Sequence, residues 1–208
     1  MRRRRRESSD APTEEVEGGD PGQVRSGGPY DVADHPLEED DPSRIDLGAL
    51  SLAGHPDLEV RLQVDEASGA VVAALLVAED GALELRPFAA SRHHDMWEDV
   101  RGEIMADLER QGAGASEVDG PYGKALHLVM TGQTPDGQTV TQPTLLLGID
   151  GPRWLLRVSA YGRPAAEWHS DGLLETALSQ VVVVRGSDPM PPGDALPLQL
   201  PPEAQRQG

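Results

Sequence analysis

The chain has 208 residues, a length that fits one domain with tails or two small domains. It contains no cysteine, which excludes a disulfide framework, a Cys-based zinc site and a cysteine nucleophile. No apolar run reaches the roughly 18 residues that a membrane-spanning helix needs. These features predict a protein without a transmembrane segment in the reducing cytoplasm.

The net charge of −18 is spread unevenly along the chain. Arg2, Arg3, Arg4, Arg5 and Arg6 form a cationic tip, whereas residues 7–42 carry twelve acidic residues against a single arginine. The negative field of the chain disfavours nucleic acid, except for weak contact through the tip. The tip is a candidate anion-binding site for phosphate, anionic lipid or an acidic partner. The alternative is a solubilising end that folds back on the acidic residues.

The composition predicts three regions. Residues 1–43 are expected to be a disordered, Arg-capped acidic tail, because they hold too few large apolar side chains to offset the entropy of ordering. Within this tail, the stretch GPYDV at residues 28–32 is the one suited to docking on the domain. A single domain is expected over residues 44–186. Residues 187–208 are a Pro-rich tail, whose spaced Met and Leu residues suit packing along the domain.

The first half of the domain shows three strand patterns followed by a helix. Residues 59–65 alternate between apolar and polar side chains, which predicts a half-buried strand, and the apolar run 71–77 predicts a strand covered on both faces. An Asp-Gly turn leads into a third strand, which Pro87 is expected to end or to place at an edge. A helix follows, for which Asp95 is the predicted cap. Its apolar stripe consists of Trp97, Val100, Ile104 and Leu108.

The second half repeats this order. Residues 124–130, 140–149 and 154–160 predict strands, a helix carries Leu173, Leu174, Ala177 and Leu178, and residues 181–184 predict a final β-branched strand. The segments LLVAEDG (75–81) and LLGIDG (146–151) align with one gap, so the domain is either a duplicated βββα unit or two units that look alike. The predicted fold class is α+β, with an antiparallel sheet of six to seven strands and two helices on one face.

Several segments of the chain resemble an uncharacterised actinobacterial family that is known only as a domain of unknown function. The resemblance rests on the stretches GPYDV (28–32), RIDLGAL (44–50), GIDGPRWLLR (148–157) and VVVVRGSDPMPPGDALPL (181–198). It runs from about residue 28 to residue 200. The resemblance implies no activity, cofactor or catalytic residue.

Two places in the sequence suggest chemistry. His93, His94 and Asp95 are three potential metal ligands at the predicted start of the helix, but adjacent residues do not converge on one ion, so a metal would need a distant residue such as His127 or His169. The alternative is that Asp95 caps the helix and both histidines are solvated.

The second place is Arg153, which precedes Trp154 in a predicted tight turn. An arginine beside an aromatic ring suits a carboxylate or a stacked ring, whereas the turn alone also accounts for the pattern. Neither place defines a catalytic residue, a metal site or a cofactor site. The sequence therefore favours a non-catalytic interaction or accessory domain that holds an unidentified protein partner. The alternative is a small hydrolase or ligand-binding domain with a pocket near His93, His94 or Arg153.

Overall fold

The structure of the protein is a computed structural model, and it describes residues 27–38, 41–92, 95–111, 113–133 and 139–201. Within these ranges the chain has an α+β fold with two sheets and three helices. The helices are α1 (Met96–Arg110), α2 (Arg163–Ala166) and α3 (Leu173–Ser179), and none of them is long and apolar enough to cross a membrane. The strands are β1 (Tyr30–Asp31), β2 (Arg44–Asp46), β3 (Leu50–Ala53), β4 (Glu59–Val64), β5 (Val71–Ala78), β6 (Gly81–Ala89), β7 (Ala115–Gly120), β8 (Gly123–Gln133), β9 (Thr139–Gly151), β10 (Trp154–Gly162) and β11 (Val182–Val183).

The larger sheet has seven strands in the order β4-β5-β6-β10-β9-β8-β7, and every neighbouring pair is antiparallel. Two meanders build it, β4-β5-β6 and β8-β9-β10, and their last strands β6 and β10 pair at the centre. The antiparallel sheet predicted from alternation and turn signals is confirmed. Strand β7 was not predicted, because its sequence ASEVDG offers only two apolar side chains.

Alternation along the strands gives this sheet two different faces. One, the core face, carries the main apolar cluster, in which Leu85 of β6 and Leu156 of β10 are completely buried. The opposite one, the α1 face, carries a second cluster formed by Leu126, Leu146 and Leu155 together with Trp97 of α1. The chain therefore has two hydrophobic layers that share one sheet.

Helices α1 and α3 lie on opposite faces of the sheet, which differs from the expectation of two helices on one face. Leu174 and Leu178 of α3 belong to the cluster of the core face, whereas Trp97 of α1 packs on the other side. The two-fold axis that relates antiparallel strands is perpendicular to the sheet, so a duplicated βββα unit would leave both helices on the same face. The repetition in the structure is confined to the strands.

The smaller sheet covers part of the core face. Its order is β1-β11-β3-β2, and β1 pairs with β11 in parallel. The first strand comes from the GPYDV stretch, and Asp31 accepts a hydrogen bond of 2.7 Å from the indole of Trp154 on β10. The packed structure consequently begins before the expected domain start at residue 44. Residues 30–31 have few apolar side chains, but backbone pairing with β11 and this hydrogen bond attach them to the domain.

The C-terminal segment also packs beyond the expected domain end at residue 186. Leu196 and Leu198 are buried in the core cluster, and the backbone N–H of Leu196 donates to the carbonyl of Pro87 at 2.9 Å. Strand β6 does not end at Pro87 but continues to Ala89, pairing with β10 throughout. Proline is tolerated there because β5 no longer pairs with β6 at this position. The C-terminal segment lies beside β6 instead, and its hydrogen bond uses the carbonyl of Pro87, so the missing N–H is not needed.

The N-terminus of α1 is capped by a residue from another element. Asp95 precedes the helix, as expected, but its side chain makes no capping hydrogen bond. The carboxylate of Asp150, at the end of β9, instead accepts from the backbone N–H of Met96 at 3.0 Å and of Trp97 at 3.3 Å. This contact ties the free end of the helix to the hairpin between β9 and β10.

Replacing Asp150 should therefore weaken the protein more than replacing Asp95. We expect Asp150→Ala to lower the free energy of unfolding by about 0.5–2 kcal/mol, the usual cost of losing an N-terminal helix cap. The matched variant Asp95→Ala removes no such hydrogen bond and should stay within about 0.5 kcal/mol. Urea unfolding measures both. Equal costs at the two positions would contradict capping by Asp150.

Candidate functional site

Helix α1 covers only one half of the α1 face. It packs over β7, β8 and β9, with the Trp97 ring directly on Gly148, and its cluster extends to Leu155 of β10 and Phe88 of β6. Beyond it lies the half formed by β4, β5, β6 and most of β10, which we call the open face. Its central side chains are half-buried rather than buried: Leu75, Glu84, Arg86, Arg157, Ser159 and Tyr161. Strand alternation places them together, because each is flanked by residues that point to the core face.

Two arginines oppose each other at the centre of the open face. Arg86 of β6 and Arg157 of β10 are direct partners in the antiparallel register. Like charges directly opposite one another on neighbouring strands destabilise a sheet. The central strand pair therefore holds an arrangement that opposes folding.

Of these two arginines, only Arg86 forms a salt bridge with a carboxylate of the described residues, although the charge of Glu84 also acts on Arg157. The Nε of Arg86 donates to Glu84 at 2.6 Å, and its Nη2 donates to the side-chain oxygen of Gln63 at 3.0 Å. Arg157 instead lies over the ring of Phe88, with its Cζ 5.2 Å from the ring centroid. Among the residues that the structure describes, no carboxylate forms a salt bridge with Arg157.

Arg86 and Arg157 are partly shielded from solvent. Burial lowers the pKa of the Arg157 guanidinium and the positive charge of Arg86 lowers it further, whereas the charge of Glu84 acts in the opposite direction. Burial likewise raises the pKa of the Tyr161 hydroxyl, with a further contribution from Glu84 that outweighs the opposing hydrogen bond with Ser159. Both shifts have the same physical cause, which is that ionised groups lose water at this surface. A complementary charge that arrives here gains more than it would in bulk water.

The groups on the open face are suited to binding rather than to covalent chemistry. A guanidinium presents N–H donors in a planar fork that matches a carboxylate or another oxyanion. The guanidinium of Arg157 is held in place by its contact with the Phe88 ring. The protonated Tyr161 hydroxyl and the Ser159 hydroxyl add neutral donors on the same strand. The combined arrangement is a polar centre with apolar side chains such as Leu75 beside it.

Of the residues singled out in the sequence, Arg153 is described by the structure and does not take part in this surface. Arg153 lies in the hairpin between β9 and β10 with a φ of +68°, and its carbonyl accepts from the N–H of Ala90 at 2.9 Å. The tight turn expected there is what the structure shows. The cationic tip Arg2–Arg6 and the pair His93 and His94 lie outside the described residues.

The remaining histidines are dispersed in the described part of the chain. His127 is a half-buried residue of β8, and His169 is exposed and lies 3.3 Å from a carboxylate oxygen of Glu167. Over the described ranges, no three His, Asp or Glu residues are close enough together to hold a metal ion.

Sequence reasoning missed the residues of the open face. Glu84 and Arg86 alternate with buried leucines on one strand, and Arg157, Ser159 and Tyr161 do the same on another. Polar residues at every second position of a strand are ordinarily solvated, and nothing local shows that the two strands pair. The weak alignment of residues 75–81 with residues 146–151 was the available signal, because the turns that it aligns lead into these two strands.

A second ionic cluster lies at the edge of the core face. Arg163 of α2 donates from both Nη atoms to Glu175 of α3, at 2.8 and 2.9 Å, and from its Nε to Asp80. Only 1% of the Glu175 side chain is exposed, and its carboxylate also accepts from the backbone N–H of His169. The carboxylates of Glu175 and Asp80 accept hydrogen bonds from all three nitrogens of the Arg163 guanidinium. This cluster therefore connects α2 with α3 and with the turn before β6, and it leaves no guanidinium nitrogen for a ligand.

Taken together, the two sheets and three helices of the described residues define an α+β protein in which one helix covers part of a sheet face. The family model described as "Protein of unknown function (DUF3710)" matches residues 28–207, and the chain belongs to this family. No curated protein matches the chain. A solved structure from Bacteroides thetaiotaomicron is similar, with 12% identity over 69% of this chain and a TM-score of 0.38. The match covers 48% of that protein, so this chain spans about half of its length.

Proposed function

We propose that the chain is a non-catalytic cytoplasmic interaction module that holds a protein partner on its open face. The observation that supports this proposal is that α1 spans one half of its sheet face and leaves the other half available. The open face combines half-buried Leu75 and Tyr161 with paired arginines, a mixture of aromatic, arginine and apolar side chains that is typical of protein interfaces. A protein partner suits this surface better than nucleic acid, because the chain carries a net charge of −18.

The proposal predicts that a partner contacts Leu75 and not the outer side of α1. A photo-crosslinking amino acid at position 75 should capture a defined protein in cells of the native host, and mass spectrometry should identify it. The matched control is Ala106, an exposed residue on the outer side of α1. It should not capture the same protein.

Binding of the purified partner then decides the proposal. We expect Leu75→Asp to weaken it by about tenfold or more, because a charge would have to be buried in the interface. The control Ala106→Asp should change the affinity by less than about twofold. Equal crosslinking at both positions, or unchanged binding by Leu75→Asp, would overturn the proposal. Crosslinks only to a second copy of this chain would assign the open face to self-association instead.

A hydrolase or ligand-binding domain with a pocket near His93, His94 or Arg153 stays a prediction from the sequence alone. The hydrogen bond described for Arg153 is made by its backbone carbonyl, which accepts from Ala90. The same holds for weak anion binding by Arg2–Arg6. Neither has an observation in the fold that favours it over the open face.

A further inference from the structure

The geometry of the open face points to a carboxylate as the group that it recognises. We propose that Arg157, with Arg86 opposite it, receives an aspartate or glutamate side chain from an acidic segment of the partner. This inference rests on the proposed function, because it names the chemistry of the partner at that same surface. It assigns to Arg157 a specificity-determining contact that the fold itself does not use.

The first argument is the charge balance of the arginine pair. Two guanidinium groups face each other, and a single carboxylate, that of Glu84, forms a salt bridge with one of them. One positive charge is therefore left over at a partly dry surface, within a chain whose net charge is strongly negative. A second carboxylate, supplied by a ligand, would complete the alternation of charges.

The second argument is that Arg157 is held ready for such a contact. The cation–π contact of its Cζ with the Phe88 ring, 5.2 Å from the ring centroid, limits the conformations of Arg157 without consuming an N–H donor. A neighbouring arginine shows what compensation by a carboxylate looks like on this surface. Arg61 on the same sheet face donates to Glu59 through Nε and Nη2 at 2.8 and 2.7 Å. Arg157 lacks this kind of partner.

The third argument concerns cost. A like-charge pair at the centre of a sheet opposes folding, so a purely structural role does not account for it. Residues that weaken the fold while serving a ligand are common at binding sites. The proposal therefore predicts that removing the Arg157 charge weakens binding and leaves the stability of the fold unchanged or higher.

The test uses the full chain with ¹⁵N-labelled arginine and a hexaglutamate peptide as the probe. At 150 mM salt the Debye length is about 8 Å, so long-range repulsion by the acidic chain is screened while direct contacts persist. We expect the peptide to shift the Nε–Hε signal of Arg157, which is identified by its absence in Arg157→Gln. Hexaglutamine and inorganic phosphate are the matched probes for a neutral peptide and for a different oxyanion.

The variants separate recognition from structure. Arg157→Gln should weaken hexaglutamate binding by about tenfold or more, and Arg157→Lys should weaken it less, because it keeps the charge but loses the fork. Arg61→Gln, which removes a compensated arginine from the same face, should change it by less than about twofold. The thermal midpoint of Arg157→Gln should not fall by more than about 2 °C.

Each other result has a defined meaning. Unchanged binding by Arg157→Gln, or a larger shift with phosphate than with hexaglutamate, overturns carboxylate recognition. A large loss of stability with binding retained makes Arg157 a structural cation. If Leu75 captures a partner that binds Arg157→Gln normally, this inference fails while the proposed function stands. If hexaglutamate binds at Arg157 but no protein is captured at Leu75, the proposed function fails instead.

Discussion

Gly148→Ala is expected to lower the free energy of unfolding by about 3 kcal/mol or more, a large effect for one methyl group. A Cβ atom at residue 148 would lie 2.0 Å from Cδ2 of Trp97, far inside the contact distance of two carbon atoms. The ring has little room to move, because it is 4% exposed and its Nε1 donates to the carbonyl of Lys124 at 2.6 Å. The substitution would lift α1 from the sheet.

Three further variants test the cause of this loss. Trp97→Ala should cost about 3–5 kcal/mol, because it removes the largest side chain between α1 and the sheet. Adding Gly148→Ala to it should cost little more, since the clash partner is gone, so the two effects are strongly non-additive. Gly102→Ala, in open space on α1, should stabilise the protein by about 0.5–1 kcal/mol. Urea unfolding of all four variants gives the comparison, and simple additivity would refute the packing of Trp97 on Gly148.

Arg163→Met is expected to cost about 3–5 kcal/mol at pH 7, because it strands the buried carboxylate of Glu175 without its partner. Burial alone would raise the pKa of Glu175. The hydrogen bonds from Arg163 and from the His169 backbone outweigh burial and hold that pKa below its ordinary value of 4.5. The same bonds raise the pKa of Arg163. The control Arg110→Met breaks an exposed pair with Asp107 and should cost no more than about 0.5 kcal/mol.

The pH dependence gives this prediction a second readout. The stability that ionised Glu175 contributes is fully present above pH 4.5 and is lost as the pH falls through its lower folded-state pKa. In Arg163→Met the uncompensated carboxyl would instead take up a proton on mild acidification. The cost of the substitution should therefore shrink between pH 7 and about pH 5. Urea unfolding at both pH values checks this, and an equal cost at the two would argue against a buried charge at Glu175.

The local patterns of the sequence predicted most of the strands and the long helix. The alternation in residues 59–65 placed Val60 and Leu62 on the core side of β4, and the apolar spacing around Trp97 predicted the contact side of α1. These signals are reliable because they depend on the two-residue period of a strand and the 3.6-residue period of a helix, both of which involve near neighbours. The α+β class follows from them.

The short elements escaped prediction for the opposite reason. Strands β1 and β7 contain few apolar residues, and β1 forms only because β11 and the indole of Trp154 lie next to it. The cap of α1 shows the same limit. The sequence pointed to Asp95, which is adjacent, whereas the functioning acceptor Asp150 is more than fifty residues away in the chain.

The candidate site was beyond the reach of the sequence. Each strand shows where its own side chains point, but the partner of a strand is set by the packing of the whole domain. By itself, the sequence determined most of the alternation between the two faces of each strand, because burial follows local hydrophobic periodicity. It did not show that one face of β5 is left open, since the run 71–77 predicted a strand covered on both faces. Only the tertiary structure decided that β6 pairs with β10, that α1 stops halfway across its face, and that Arg86 therefore meets Arg157. The physical reason is that these placements depend on contacts between residues that are far apart in the chain. A local sequence pattern does not show the free energies of such contacts.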